Sequence, residues 1–159
     1  MKTKSIKQSI SFDATPDELY DVLMNAKKHS ALTASKVKMS NKVKGKFDVF
    51  DGYCHGYNIE LEPGKKIVQA WHFAEDGWPA DHFSICTFSF EKVKNKTKLS
   101  FTQTGIPEHK AVSLKSGWAT FYWEPLKEFF STKWAKLNIR LKILDVRFKT
   151  NHIQNEKRI

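Results

Sequence analysis

The side chains able to do chemistry are few in this chain and widely spread. Its histidines are His29, His55, His72, His82, His109 and His152. Neither His-Glu-x-x-His nor His-x-His occurs, so local helical or strand spacing brings no pair of imidazoles together for zinc. His55 lies two residues before Tyr57. If both share an inward strand face, His55 becomes a polar anchor or a general base beside an apolar surface. His72 falls by alternation on the face opposite Trp71 and Phe73. Glu75, Asp76 and Asp81 cluster near Trp78, but acid catalysis needs a carboxylate desolvated in a pocket, and a polar loop keeps it wet. Glu124 is the better inward candidate, although Lys127 and Glu128 mark a wet face beside it. No Gly-x-Ser-x-Gly elbow is present, and Cys54 alternates away from Tyr53 and His55. Neither a Gly-x-Gly-x-x-Gly nor a Gly-x-x-x-x-Gly-Lys-Ser/Thr loop occurs, so phosphate cradling lacks its backbone. The residues assemble no catalytic set, and neither a metal nor a cofactor is expected.

What the chain has in quantity is aromatic surface: 12 Phe, 5 Trp and 4 Tyr in 159 residues. Such rings line apolar pockets or fill a core of large rigid side chains, and both uses draw on the same residues. The charge is uneven. From Lys133 onward eight basic residues stand against two acidic ones, so the tail carries +6 of the net +10 and the rest is only mildly basic. Lys36, Lys38, Lys42, Lys44 and Lys46 form one run, and Lys92, Lys94, Lys96 and Lys98 another. Lysines at hairpin turns and strand edges protect those edges from pairing with other chains. They also leave a basic surface for acidic partners, without a motif for specific nucleic-acid recognition. No stretch is apolar enough for a membrane span, and the N-terminus lacks the apolar run of a signal peptide. A cytoplasmic location is the default expectation, with Cys54 and Cys86 reduced.

The elements that must position these residues follow from periodicity. Residues 4–12 alternate, with Ile6, Gln8, Ile10 and Phe12 on one face of a strand. Thr15, Pro16 and Glu18 form a capping-box start for a helix over 16–26, with Leu19, Val22, Leu23 and Ala26 at helical spacing. A short helical or irregular piece follows over 27–35. Strand 44–50 carries Phe47 and Val49 on one face, and Asp51-Gly52 predicts a two-residue hairpin. The return strand, 53–62, alternates Tyr53, His55, Tyr57, Ile59 and Leu61. Pro63-Gly64 turns into strand 66–74, with Ile67, Gln69, Trp71 and Phe73 together. After a loop at 76–80, strands 83–92 and 97–104 place Cys86, Phe88 and Phe90, then Leu99, Phe101 and Gln103, on shared faces. Short connections favour an antiparallel meander. A long helix over about 110–133 carries Leu114, Trp118, Phe121, Tyr122, Leu126, Phe129 and Phe130, and Pro125 should kink it about one turn upstream.

Several of these segments together resemble a known family. They are Ser11–Glu18 at the opening; Gly45-Lys46-Phe47, Asp51-Gly52 and Gly56 in the first hairpin; Leu61–Trp71, the strongest match; and Gly117-Trp118 with Leu126 in the final helix. The chain resembles the activator of heat-shock protein 90 ATPase homologue group, within the START-like (Bet v 1-like, SRPBCC) superfamily, over roughly residues 5–131. The resemblance implies an α+β helix-grip fold, a curved antiparallel sheet wrapped around a long C-terminal helix. Residues 1–134 would form the domain, and the basic tail 135–159 an arm or an extra element. Members of the superfamily are variously binders of lipids and small molecules, cyclases and chaperone partners. The leading expectation is a non-catalytic domain that holds a small apolar ligand between sheet and helix. A co-chaperone module acting on a heat-shock protein 90 ATPase and a cyclase or hydrolase are the alternatives. Mapped onto this sequence, the cavity walls would be Tyr57, Trp71, Phe73, Phe88, Phe101, Trp118, Phe121 and Tyr122, with His55 as the polar candidate.

Overall fold

The computed structural model describes residues 1–131; the expectations for the tail lie outside them. Strand β1 (Thr3–Phe12) leads into helix α1 (Pro16–Met24) and helix α2 (Ala26–Thr33). Thr15 caps α1 as the sequence demands. Its hydroxyl accepts the Glu18 N–H at 3.1 Å while the Glu18 carboxylate reaches back to the Thr15 N–H. Asn25 ends α1 and also caps α2, its side-chain oxygen accepting the Lys28 N–H at 3.0 Å.

Six further strands follow: β2 (Lys38–Met39), β3 (Lys46–Val49), β4 (Cys54–Glu62), β5 (Lys66–Phe73), β6 (Ser84–Val93) and β7 (Lys96–Pro107). They pair antiparallel in the order β1-β7-β6-β5-β4-β3-β2. The meander runs from β2 to β7, and β1 joins it beside β7, pairing Ile10 with Leu99 and Phe12 with Thr97. A sheet that twists and carries apolar residues on one face must cover that face. The covering element is the C-terminal helix, entered through one 3₁₀ turn, Glu108–Lys110. This is the α+β helix-grip fold, with the core between sheet and helix.

The helix is not uniform. Segment α3 (Ala111–Trp118) passes through a π turn (Ala119–Trp123) into α4 (Glu124–Ser131). Pro125 has no N–H, so the helical ladder must be repaired just before it. The Glu124 N–H instead bonds the Ala119 carbonyl, five residues back. The extra residue changes which side chains face inward. Trp118, Tyr122 and Trp123 are all buried, whereas Phe121 is 56% exposed. The α-periodic reading of the sequence therefore missed Trp123, whose ring stacks on Trp118 at 5.6 Å. Phe129, expected on the apolar face, is 38% exposed.

Two other sequence expectations change. The hairpin at Asp51-Gly52 is a four-residue turn rather than a two-residue one, since Val49 pairs Cys54 and residues 50–53 lie between. Phe50, Asp51 and Gly52 all have positive φ. The turn is set by Phe50, whose ring packs on Phe121 and Tyr122 across the helix. In β4 the His55-Tyr57 face points away from the helix, and Cys54, Gly56 and Asn58 point inward. Gly56 is required there: a Cβ would lie 1.7 Å from the Ala70 carbonyl oxygen. A bulge between Asn58 and Glu60 then reverses the alternation, which turns Leu61 back toward the core.

Candidate functional site

Between the first half of the C-terminal helix and the β3–β5 end of the sheet lies a cavity of about 480 Å³. Its sheet wall is Trp71, Phe73 and Cys54. Its helix wall is Leu114, Gly117, Trp118, Phe121 and Tyr122, with Phe50 and Tyr53 from the β3–β4 turn closing one end. Glu75 and Ser113 complete the lining.

The walls are rings whose polar atoms are tied down elsewhere. The Trp71 indole N–H donates to the Gln69 side-chain oxygen at 3.0 Å, and the Trp118 N–H to that of Gln103 at 2.7 Å. Both glutamines are buried and satisfied in turn. Gln69 donates to the Asn58 side-chain oxygen, and Gln103 to the Ser84 hydroxyl. The Tyr122 hydroxyl bonds Nε2 of buried His29 at 2.8 Å, and His29 Nδ1 donates to the Leu23 carbonyl at 2.9 Å. Burial holds His29 below the usual imidazole range and pushes the Tyr122 phenol well up, so both are neutral. With every N–H and O–H engaged behind them, these three rings turn hydrocarbon faces to the cavity. Buried polar atoms without partners would be costly, and among the described residues none is found.

Polar atoms collect at the cavity's edge. The Glu75 carboxylate accepts a hydrogen bond from the Tyr53 hydroxyl and an ion pair from Lys110 at 3.3 Å. Burial, then Glu75, pushes the Tyr53 phenol up, so it stays a donor. Burial likewise pushes the Cys54 thiol up. A nucleophilic cysteine needs a depressed value, so Cys54 is a wall rather than a reagent.

The nine residues expected around the cavity fall into three groups. Trp71, Phe73, Trp118, Phe121 and Tyr122 line it. Phe88 and Phe101 lie deeper, packed on each other at 5.0 Å and on Trp118, as core. Tyr57 and His55 sit on the outer face of the sheet, because inward Gly56 separates them and fixes the parity. The cyclase or hydrolase alternative relied on His55 as a base, and this position takes it away from the cavity. Glu124 is exposed, and so are Asp76 and Asp81. Glu75, taken as part of a wet loop, is the carboxylate that reaches the cavity. Its position depends on the fold of the turn after β5, which no periodicity reports. The open helix face at Gly117 was legible in principle, as a glycine inside a helix amid large apolar residues.

Comparison with known proteins gives this geometry a family. A family model described as "Activator of Hsp90 ATPase homolog 1-like protein" matches residues 13–131. An activator of 90 kDa heat shock protein ATPase homolog from Dictyostelium discoideum is 35% identical over 130 residues, which is 81% of this chain and 33% of that protein. The human activator of 90 kDa heat shock protein ATPase homolog 1 is 32% identical over 120 residues, 76% of this chain and 35% of that one. The chain thus spans about a third of the length of these curated relatives. A solved HSP90 activator from Plasmodium falciparum superposes with a TM-score of 0.75 at 26% identity, covering 80% of this chain and 96% of that one. The Aha1 dimer from Colwellia psychrerythraea shares the fold at TM-score 0.68 and 21% identity, covering 80% and 96%. Through residues 13–131, three-quarters of its length, this chain belongs to the family of activator of Hsp90 ATPase homolog 1-like proteins.

Proposed function

We propose that this domain engages an Hsp90-type chaperone and modulates its ATPase. The observation that carries this reading is the 35% identity to an activator of 90 kDa heat shock protein ATPase, running through most of the chain. The surface chemistry is compatible with it. Lys36, Lys38, Lys42, Lys44 and Lys46 are all exposed around β2 and β3, and Lys92, Lys94, Lys96 and Lys98 around the β6–β7 turn. Clustered exposed lysines attract an acidic partner and speed encounter, and salt weakens that attraction. The test is the steady-state ATPase rate of a cognate Hsp90 with increasing amounts of the full chain, at low and moderate salt. A saturable change in rate that weakens as salt rises is expected. An unchanged rate, with no complex by sedimentation, would remove the reading.

A second reading is favoured by the cavity itself: the same domain holds a small apolar ligand between sheet and helix. Its support is Gly117. A glycine in a helix interior costs roughly 0.5–1 kcal/mol relative to alanine, yet a Cβ here would meet no atom within 4 Å. The residue opens the helix face onto the cavity, and no protein group claims the space. A cavity of this size suits a small-molecule site. The ligand would present an apolar body to Trp71, Trp118 and Tyr122 and one polar group to Glu75 and Tyr53. Native mass spectrometry of freshly purified protein, followed by extraction, tests it. A defined apolar adduct that disappears in Gly117→Leu is expected. A clean apo mass, with no shift in melting temperature across a lipid and aromatic library, would end it.

A further inference from the structure

The outer face of the sheet carries a pair of histidines that no local motif announces. His55 on β4 and His72 on β5 are register partners, and their rings lie 4.8 Å apart between centroids. Asp48 on β3 pairs with His55, so Asp48, His55 and His72 form one row across three neighbouring strands. The Phe83 ring packs against both imidazoles, at 5.9 and 5.7 Å, and Trp78 against that of His72. These contacts restrict the rings to a narrow range of orientations.

The tautomer of His72 follows from its partner. Its Nδ1 lies 3.0 Å from the His82 carbonyl oxygen. A carbonyl only accepts, so Nδ1 carries the proton and Nε2 carries the lone pair. That Nε2 has no hydrogen-bond partner among the described residues, and it is not sealed from solvent. Metal-bound imidazoles characteristically donate their other N–H to a carbonyl or carboxylate, which fixes the ring and raises its basicity. His72 already has that arrangement. Burial and the neighbouring His72 ring hold His55 below the usual imidazole range, so at neutral pH it too offers a lone pair. The Asp48 carboxylate adds a negative charge beside it, opposing that shift.

We propose that His55 and His72 form a two-imidazole site on the outer sheet face that takes a divalent transition-metal ion, copper(II) ahead of zinc(II). Imidazole nitrogen suits both ions, and the order follows the general ranking of divalent metals at nitrogen sites. Among the described residues no three His, Cys, Asp or Glu side chains are grouped to hold a metal. Two protein ligands therefore hold the ion and water completes its shell, which makes the site open and exchangeable rather than structural. An ion bound there ties β4 to β5 and sits beside the exposed ring of Tyr57 and the half-buried ring of Phe83.

The test is calorimetric titration of the full metal-free chain with copper(II), and separately with zinc(II), in a buffer that does not chelate. Electron paramagnetic resonance of the copper form reports nitrogen ligation. One copper(II) per chain bound through two nitrogens is expected, with zinc(II) weaker. His55→Ala, at an exposed position, should weaken copper binding by at least the roughly 10-fold that losing even a supporting contact to a metal-bound imidazole costs. His72→Gln should do the same, and His109→Ala and His152→Ala should not. Copper binding equal to the parent's in His55→Ala overturns the proposal, whatever the fold of the His72 variant, because the metal then sits elsewhere.

Discussion

Single atoms decide much of this domain. Gly56 and Gly117 show the two opposite uses of a missing side chain. At Gly56 the Ala70 carbonyl occupies the place a Cβ would need, so Gly56→Ala forces backbone apart in the centre of the sheet. Its cost should reach about 3 kcal/mol or more, in the upper range for one substitution, read by chemical denaturation. At Gly117 the space is empty, so Gly117→Ala should stabilise the apo protein by about 0.5–1 kcal/mol in the same measurement. His29 is a third case. Its Nε2 accepts from Tyr122, so Tyr122→Phe leaves a buried acceptor without a donor and should cost about 1–3 kcal/mol. The same residue sets a pH dependence. Its folded-state value lies below the ordinary 6.5, so the unfolded chain binds the proton more readily. Stability is then full above about pH 6.5 and falls as the pH drops from there toward the folded-state value. His29→Gln should remove that part of the decline, which thermal melts across this range would show.

At the scale of elements, the decisive device is the π turn before Pro125. It brings two consecutive residues, Tyr122 and Trp123, to the inner face and leaves Phe121 at the cavity rim. Trp123 is buried, and its indole N–H donates to the Gln8 side-chain oxygen on β1 at 2.9 Å. Trp123→Ala should therefore cost about 3–5 kcal/mol. Phe121→Ala should change stability far less and, if the cavity holds the proposed apolar ligand, lower its occupancy instead, and paired melts with native mass spectra would separate the two effects. A strict α-helix would tend to reverse these outcomes. The capping box of α1 is the contrasting case, because Thr15, Pro16 and Glu18 specify it within four residues and the structure contains it as read. The bulge in β4 is intermediate. Asn58, inward and fully buried, donates to the carbonyls of Ser40 and Lys42 at 2.7 and 3.0 Å and so anchors the loop before β3. Nothing in the alternation of Tyr57, Ile59 and Leu61 signals that role.

On the scale of the whole molecule, charge and topology separate two surfaces. The exposed lysines around β2–β3 and the β6–β7 turn guard a short edge strand and a hairpin end. If they also meet an acidic chaperone, replacing Lys36, Lys38 and Lys46 together with Glu should weaken the complex. It should also flatten the dependence of that complex on salt, since fewer screened charge contacts remain. Binding with an unaltered salt slope would place the contact on another face. No helix of the described residues is long and apolar enough to cross a membrane.

The amino-acid sequence by itself determined the element order apart from the two-residue β2 (Lys38–Met39), the α1 cap, the turn at Pro63-Gly64, most strand faces and the resemblance to a family. All of these rest on short-range periodicity and on residues with intrinsic backbone preferences. Tertiary structure alone decided four things. These were the parity of β4, the four-residue turn held by Phe50 against the helix, the pairing of β1 with β7, and the inward swing of Trp123. Each turns on contacts between residues far apart in the chain. His55 and His72 show this most directly. Seventeen positions apart by numbering, they match no local motif, and only the β4–β5 register brings their rings side by side.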